Sequence, residues 1–145
     1  MDFLTAMQIS SSGLNVQRQR MEAISSNLAN VETTRTPEGG PYRKKSVVVS
    51  ALPLENSFGE VLKNELGDTL NQVLVTQVVR DQTEPRTVFN PNHPDANKEG
   101  YVAMPNIDLI SEMVDMVTTT RSFEANVTAM NAAKSMALRA IELGR

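Results

Sequence analysis

The chain has 145 residues, the length of one ordinary domain, and its formal net charge of −3 argues against nucleic acid or anionic lipid as a partner. It contains no cysteine, so disulfides and thiol chemistry are excluded. There is no apolar run of about 18 residues, and the N-terminal MDFLTAMQISSSG lacks a basic start and a continuous apolar stretch, so neither direct membrane insertion nor a cleavable signal peptide is predicted.

The positions of the prolines divide the chain into three regions. All seven prolines lie from Pro37 to Pro105. Because proline breaks helices, the proline-free ends are predicted to be helical and the middle non-helical. The expected fold is α+β, with a helical region 1–36, a β-rich middle region 37–105 and a helical region 106–145. Aromatic residues make up only 4% of the chain, which is low for a large self-contained core.

Residues 2–31 form the first predicted helix. Apolar residues recur in it with the 3.5-residue period of a helix that packs against another helix. They are Met7, Leu14, Met21 and Leu28, with Ile24 in a companion position. The low-propensity patch Ser10–Gly13 is interpreted as a point of close packing, with a bend as the alternative. Asn27 and Asn30 lie where the helix is expected to end, and from the residues alone they indicate capping or turn chemistry.

The middle region is predicted to contain β-strands separated by turns. The strongest strand is Asn71–Asp81, where a break in alternation at Gln77–Val79 indicates a bulge. Residues 53–70 fit either a loop or a short helix, Phe58–Leu66. The other predicted strands are Tyr42–Ser50, Arg86–Asn90 as a partner strand, and Gly100–Met104, and the segment 90–100 has turn composition.

The segment Asn106–Arg145 forms the last predicted helix, since it lacks proline and its only glycine is Gly144. Asn106 is predicted to cap its start, with Asp108 favourable near the positive helix end. Apolar residues spaced alternately by four and three form its main stripe: Leu109, Met113, Met116, Phe123, Val127, Met130, Ala137 and Ile141. A second stripe contains Ile107, Ile110, Val114 and Val117. A helix that is apolar on two sides is typical of a multi-helix assembly, and one amphipathic helix on an ordinary core is the alternative.

The sequence offers little for catalysis or metal binding. His93 is the only histidine, and with Asp95 nearby it could suggest an acid–base pair or a metal ligand. A metal site needs three or four ligands at suitable spacing, and no second histidine or cysteine exists. His93 lies between Asn92 and Pro94 and is interpreted as a loop residue. We therefore predict no catalytic, cofactor-binding or metal-binding residues and no cofactor.

Two segments carry a resemblance to a known family. SSGLNVQRQRMEAISSNLANVETTRTPEGGPYRKK, residues 11–45, resembles the N-terminal signature of bacterial flagellar rod proteins in the rod–hook axial superfamily. GYVAMPNIDLISEMVDM together with RSFEANV, in residues 100–127, is similar to the C-terminal part of FlgC-like proximal rod proteins. Residues 53–70 carry no signature of the family.

The resemblance implies a structural, non-enzymatic subunit of the flagellar basal-body rod, the periplasmic drive shaft that transmits torque. It implies export through the flagellar type III apparatus and pairing of the terminal helices as an antiparallel, coiled-coil-like hairpin. The implied partners are FlgB-, FlgF- and FlgG-like rod subunits, the adaptor FliE and other copies of the chain. The expected assembly interface contains Met7, Leu14, Met21, Ile24, Asn27, Leu28 and Asn30 from the first helix and Leu109, Met113, Met116, Phe123, Val127, Met130, Ala137 and Ile141 from the last.

Two other function classes remain as alternatives at this point. A helical-hairpin adaptor or export chaperone would share the helical pattern but would form a discrete complex of fixed size. An enzyme would have to rely on His93 and Asp95.

Overall fold

A computed structural model describes residues 3–53 and 71–144. Two long helices flank a β-rich insert, which confirms the predicted α+β fold. The elements are α1 (Phe3–Ala29), β1 (Lys45–Pro53), β2 (Asn71–Arg80), β3 (Arg86–Phe89), β4 (Tyr101–Met104) and α2 (Leu109–Leu143). The short helix considered at Phe58–Leu66 lies outside the described residues.

The two helices pair antiparallel. Three contacts show this: Asn27 with Glu112, the Met21 sulfur with the Thr120 hydroxyl at 3.8 Å, and Gly13 with Asn126. The residue numbers of these contacts increase along α2 as they decrease along α1. At about 1.5 Å per residue, α1 is about 40 Å long and α2 about 52 Å. The predicted antiparallel hairpin is thereby confirmed.

Helix α1 is continuous through the low-propensity patch Ser10–Gly13. The Ser12 hydroxyl donates to the Ile9 carbonyl at 2.8 Å and accepts from the backbone N–H of Val73 on β2 at 3.2 Å. Gly13 allows α2 to approach closely, as the close-packing interpretation predicted. The helix ends at Ala29, two residues before the predicted end, because the Asn30 amide turns back to donate to the Ser26 carbonyl.

Helix α2 begins at Leu109, and its N-cap is Asp108 rather than the predicted Asn106. The Asp108 carboxylate accepts the backbone N–H of Ile110 at 3.1 Å, which satisfies one of the free amides at the helix start. Asn106 instead donates to the Thr83 hydroxyl at 3.2 Å. The prediction was wrong because the chain stays extended after Pro105, and the helix can only begin after that extended segment.

The strands form two separate antiparallel hairpins. In the first, Val48 of β1 pairs with Gln77 of β2 and Val49 pairs with Val75, so Thr76 is the extra residue of a bulge beside the predicted position. In the second, β3 pairs with β4 from Arg86–Met104 to Phe89–Tyr101. The predicted strand 86–90 therefore pairs with β4 and not with β2. The reason is that the turn-rich segment 90–100 folds the chain directly back on itself.

The described part of the chain has a small core. Its buried apolar residues are Val16, Ala23, Val102, Pro105 and Ile107. Helix α1 packs against α2 on one side and against the β1–β2 hairpin on the other. Val102, Pro105 and Ile107 are buried along the link between β4 and α2, so this link is packed rather than free.

Candidate assembly surface

A buried hydrogen bond joins the two helices near the insert. The Asn27 amide, at the end of α1, donates to Glu112 Oε2, in the first turn of α2, at 3.0 Å. Each of the two residues is only 1% exposed. A polar pair at this depth must be satisfied from several directions, because a buried polar group without partners is strongly unfavourable.

The Asn27 amide also binds the start of β1. Its Oδ1 accepts the Lys45 backbone N–H at 2.8 Å, and its Nδ2 donates to the Lys45 carbonyl at 2.9 Å. The Tyr42 hydroxyl donates to the same Oδ1 at 3.2 Å. All four hydrogen-bonding positions of the amide are occupied, counting the bond to Glu112. The side chain thus substitutes for a neighbouring strand at Lys45.

Lys44 supplies the counter-charge for the buried glutamate. Its Nζ lies 2.6 Å from Glu112 Oε1, and the lysine side chain remains about one-third exposed. The hydrogen bond to Glu112 raises the pKa of Lys44 above its ordinary value, and burial opposes this only in part. We name Asn27, Tyr42, Lys44, Lys45 and Glu112 the polar cluster.

Opposite the polar cluster, the first half of α2 carries an exposed apolar surface. At about 100° per residue, Ile110 and Val117 lie on the side of the helix opposite Glu112 and Thr119. We name this surface the outer patch, and its members are 46 to 74% exposed: Leu109, Ile110, Met113, Val114 and Val117. Contiguous exposed apolar side chains of this kind are typical of protein–protein contact sites.

The far end of α2 is apolar and exposed as well. Met136, Leu138 and Ile141 are more than half exposed, and Leu143 is 89% exposed. Between the two exposed ends, Phe123 and Met130 are half-buried towards α1. Helix α2 therefore exposes apolar surface at both ends and buries side chains only along its α1-facing side.

The structure distributes the predicted interface residues among three environments. Asn27 is enclosed within the subunit, where its amide is fully used. Exposed members of the set are Leu109, Met113 and Ile141. The half-buried members are Met7, Leu14, Met21, Ile24, Leu28, Asn30, Met116, Phe123, Val127, Met130 and Ala137.

Sequence reasoning missed the polar residues of α2 that face α1 within the subunit. The α1-facing stripe of α2 has the same four–three spacing as the predicted stripe, but it includes polar side chains: Glu112, Met116, Thr119, Phe123, Asn126 and Met130. An apolar pattern skips Glu112 and Thr119. The burial of Glu112 could have been inferred only from its partners Lys44 and Asn27, which are distant from it in the sequence.

His93 and Asp95 have structural partners in their turn. The His93 Nδ1 accepts the Asp95 backbone N–H at 3.1 Å, and the Asp95 carboxylate accepts the Thr34 hydroxyl at 2.8 Å. These bonds hold the turn between β3 and β4 against the segment after α1. Within residues 3–53 and 71–144, no group of three or more acidic, histidine or cysteine side chains could hold a metal ion.

A further surface feature is a groove of about 220 Å³ between α1, β1 and α2, beside the polar cluster. Its walls include charged side chains from all three elements: Arg20, Lys44, Lys45, Glu112 and Asp115. None of the helices in the part of the chain described by the structure combines the length and apolarity needed to cross a bilayer.

Two family models match parts of the chain. Residues 7–35 match the family described as "Flagella basal body rod protein", and residues 98–143 match "Flagellar basal body rod FlgEFG protein C-terminal". These matches cover most of α1 and the segment from the end of the β3–β4 turn through α2.

Similar full-length relatives carry one name, flagellar basal-body rod protein FlgC. The protein from Bacillus subtilis strain 168 is 45% identical, with 97% of each chain covered. The Borreliella burgdorferi protein is 38% identical, with 94% of this chain and 93% of the relative covered. The Yersinia enterocolitica protein is 37% identical, with both chains covered completely. On identity and coverage of this extent, the chain belongs to the FlgC family of flagellar basal-body rod proteins and is a structural subunit of the rod.

Proposed function

We propose that the chain assembles through its terminal helices into the periplasmic drive shaft of the flagellum and transmits torque there. The observation that carries the proposal is the outer patch, where Ile110 is 74% exposed and Val114 59% exposed on the helix that packs against α1. Apolar side chains with this exposure gain free energy when a neighbouring subunit covers them.

The proposed interface combines the predicted residues that are not enclosed within the subunit. On α2 these residues include the exposed Leu109, Met113 and Ile141, joined by Ile110 and Val117 of the outer patch. On α1 they are the half-buried apolar residues and Asn30: Met7, Leu14, Met21, Ile24, Leu28 and Asn30. The half-buried residues of α2 complete the set with the part of their surface that the subunit leaves uncovered: Met116, Phe123, Val127, Met130 and Ala137. The regions 1–36 and 106–145 would then form the axial part of the shaft, and the region 37–105 its outer part.

The neighbours in the proposed shaft are other copies of the chain, FlgB-, FlgF- and FlgG-like rod subunits and the adaptor FliE. Export would proceed through the flagellar type III apparatus. The absence of cysteine and the small core favour a chain that passes through a narrow channel before it folds. Contacts between neighbours that repeat head to tail without closing a ring would generate a tube.

The test introduces charge into the outer patch. Ile110→Lys and Val117→Lys leave the subunit folded, since both side chains are more than half exposed, but they should prevent burial against a neighbour. The matched control is Ser111→Lys, on an exposed residue of the same helix turn outside the patch. We expect the two patch variants to be exported normally while motility and rod formation are lost, and the control to swim.

Two results would contradict the proposal. One is normal motility and intact rods with both patch lysines present. The other is a purified chain that forms a single complex of fixed mass with another flagellar protein, because a discrete complex is what a helical-hairpin adaptor or export chaperone would form.

A further inference from the structure

We propose that the polar cluster sets the register of the helix pair and ties β1 to it, and that this positioning role, rather than added stability, is its contribution. The cluster joins three separate segments of the chain: the end of α1, the start of β1 and the first turn of α2. The inference concerns the folded subunit and does not require the proposed torque-bearing function.

Asn27 accepts only one arrangement of its neighbours. Its Oδ1 takes two donors, from Lys45 N and Tyr42, and its Nδ2 serves two acceptors, Lys45 O and Glu112. If any one of these groups is displaced, a buried hydrogen-bonding position is left empty. All four hydrogen bonds of the amide can therefore form only when α2 and β1 are both in their native positions.

The rest of the helix interface discriminates weakly between registers. Its α1 side includes Gly13 and Ala23, and its α2 side includes Met116, Met130 and Ala133, all buried or half-buried. Methionine adapts to irregular gaps, and small residues accept many neighbours. The repeat of seven residues means that a slide of one heptad brings apolar or small side chains opposite each other again.

A slide of one heptad is unfavourable at the polar cluster. It would bring Thr119 to the place of Glu112 opposite Asn27 and would separate Glu112 from Lys44. A buried carboxylate without its counter-charge strongly disfavours such a state. In the native register, by contrast, the desolvation of the ion pair offsets much of its attraction, so the pair adds little net stability. The ion pair therefore favours the native register over a shifted one, although it adds little to the stability of the subunit.

The experiment uses the absence of native cysteines to measure register directly. One cysteine pair, Met21→Cys with Thr120→Cys, reports the native register, in which these side chains touch at 3.8 Å. A second pair, Met21→Cys with Val127→Cys, reports a slide of one heptad. Each pair is placed in the full chain, treated with a short bifunctional maleimide and scored for intramolecular crosslinks by mass spectrometry.

The two pairs are compared in three backgrounds. The first is the native sequence, and the second is Lys44→Met with Glu112→Met, which removes both charges together. The third is the matched control Glu38→Met with Arg80→Met, the same change in an ion pair whose side chains are both more than half exposed. In the native and control backgrounds we expect the native crosslink to dominate. In the Lys44→Met/Glu112→Met background we expect the slipped crosslink to increase about tenfold. The thermal midpoint should fall only slightly, because the ion pair adds little net stability and the Asn27 amide loses just one of its four partners.

Three results would overturn the inference. The slipped crosslink in the Lys44→Met/Glu112→Met background could stay at the level found in the native and control backgrounds. The thermal midpoint could fall steeply without slipped crosslinks, or the variant could fail to fold, and either result would show that the pair acts through stability. As a milder second variant, Glu112→Gln keeps the bond to Asn27 and should give an intermediate crosslink ratio. Crosslinks are read on the isolated subunit, so a failed motility test of the outer patch would leave the result unaffected.

Discussion

Gly13 of α1 lies so close to Asn126 of α2 that a Cβ at position 13 would be 3.2 Å from the Asn126 amide nitrogen. This distance is tighter than most van der Waals contacts of a real side chain, so the Asn126 side chain packs into the space that the missing Cβ of Gly13 leaves. The contact explains why a glycine occupies this helical position, although glycine lowers helix propensity.

Substitution of Gly13 should therefore depend on size. Gly13→Ala should change the free energy of unfolding by less than about 1 kcal/mol, because the gain in helix propensity offsets the small displacement of the flexible Asn126 side chain. Gly13→Leu should destabilise the chain by about 1–3 kcal/mol, because the helices must separate. Urea unfolding measures both, and Asn126→Ala combined with Gly13→Leu should recover part of the loss. Equal effects of alanine and leucine would contradict the close contact.

A second glycine prediction concerns the β3–β4 hairpin. Gly100 has φ of 82°, and an added Cβ would lie 3.0 Å from Phe89 Cε2 and 3.3 Å from Pro91 Cβ. Gly100→Ala should cost about 3 kcal/mol, combining backbone strain with a steric clash. The matched control is Gly40→Ala, where φ is 76° and nothing lies within 4 Å of the added Cβ, so only the strain of about 1 kcal/mol is expected. Urea midpoints that fall equally for both variants would refute the role of the Phe89 contact.

The ion pair of the polar cluster predicts a loss of stability at alkaline pH. The hydrogen bond to Glu112 raises the pKa of Lys44 in the folded chain. The stabilising contribution of Lys44 is therefore complete below its unfolded pKa and disappears as the pH rises through the raised folded pKa. Thermal midpoints measured from neutral pH into the alkaline range should show this loss in the native chain and not in Lys44→Met. Lys98→Met, in the exposed β3–β4 turn, controls for the removal of one lysine and should retain the loss.

The hydropathy pattern and the proline positions predicted much of the fold. Prolines confined to the middle of the chain and a 3.5-residue period at both ends were sufficient for a helical hairpin with a β-rich insert. The cap of α2 was assigned to Asn106 instead of Asp108, because both residues are good caps and only the extended backbone after Pro105 decides between them. Similarly, the sequence does not show that strand 86–90 pairs with β4, because this pairing depends on how tightly the segment 90–100 turns.

The side of each helix that faces its partner could not be predicted from apolar residues alone. Leu109 and Met113 fit a regular stripe, yet they are exposed, while Glu112 between them is buried. A glutamate is placed inside only because Asn27 and Lys44 reach it from other segments, and single-sequence periodicity contains no information on such long-range pairing. The predicted stripe instead includes residues of the outer patch, which is available to neighbouring subunits.

The buried link between β4 and α2 has a mechanical consequence. Met104 and Leu109 are separated by four residues, and two of them, Pro105 and Ile107, are packed inside the protein with Val102 just before them. Displacement of this junction would expose these apolar side chains to water, which is unfavourable. A force applied to the helical part of the subunit would therefore also act on the β3–β4 hairpin, because the two move together through this packed link.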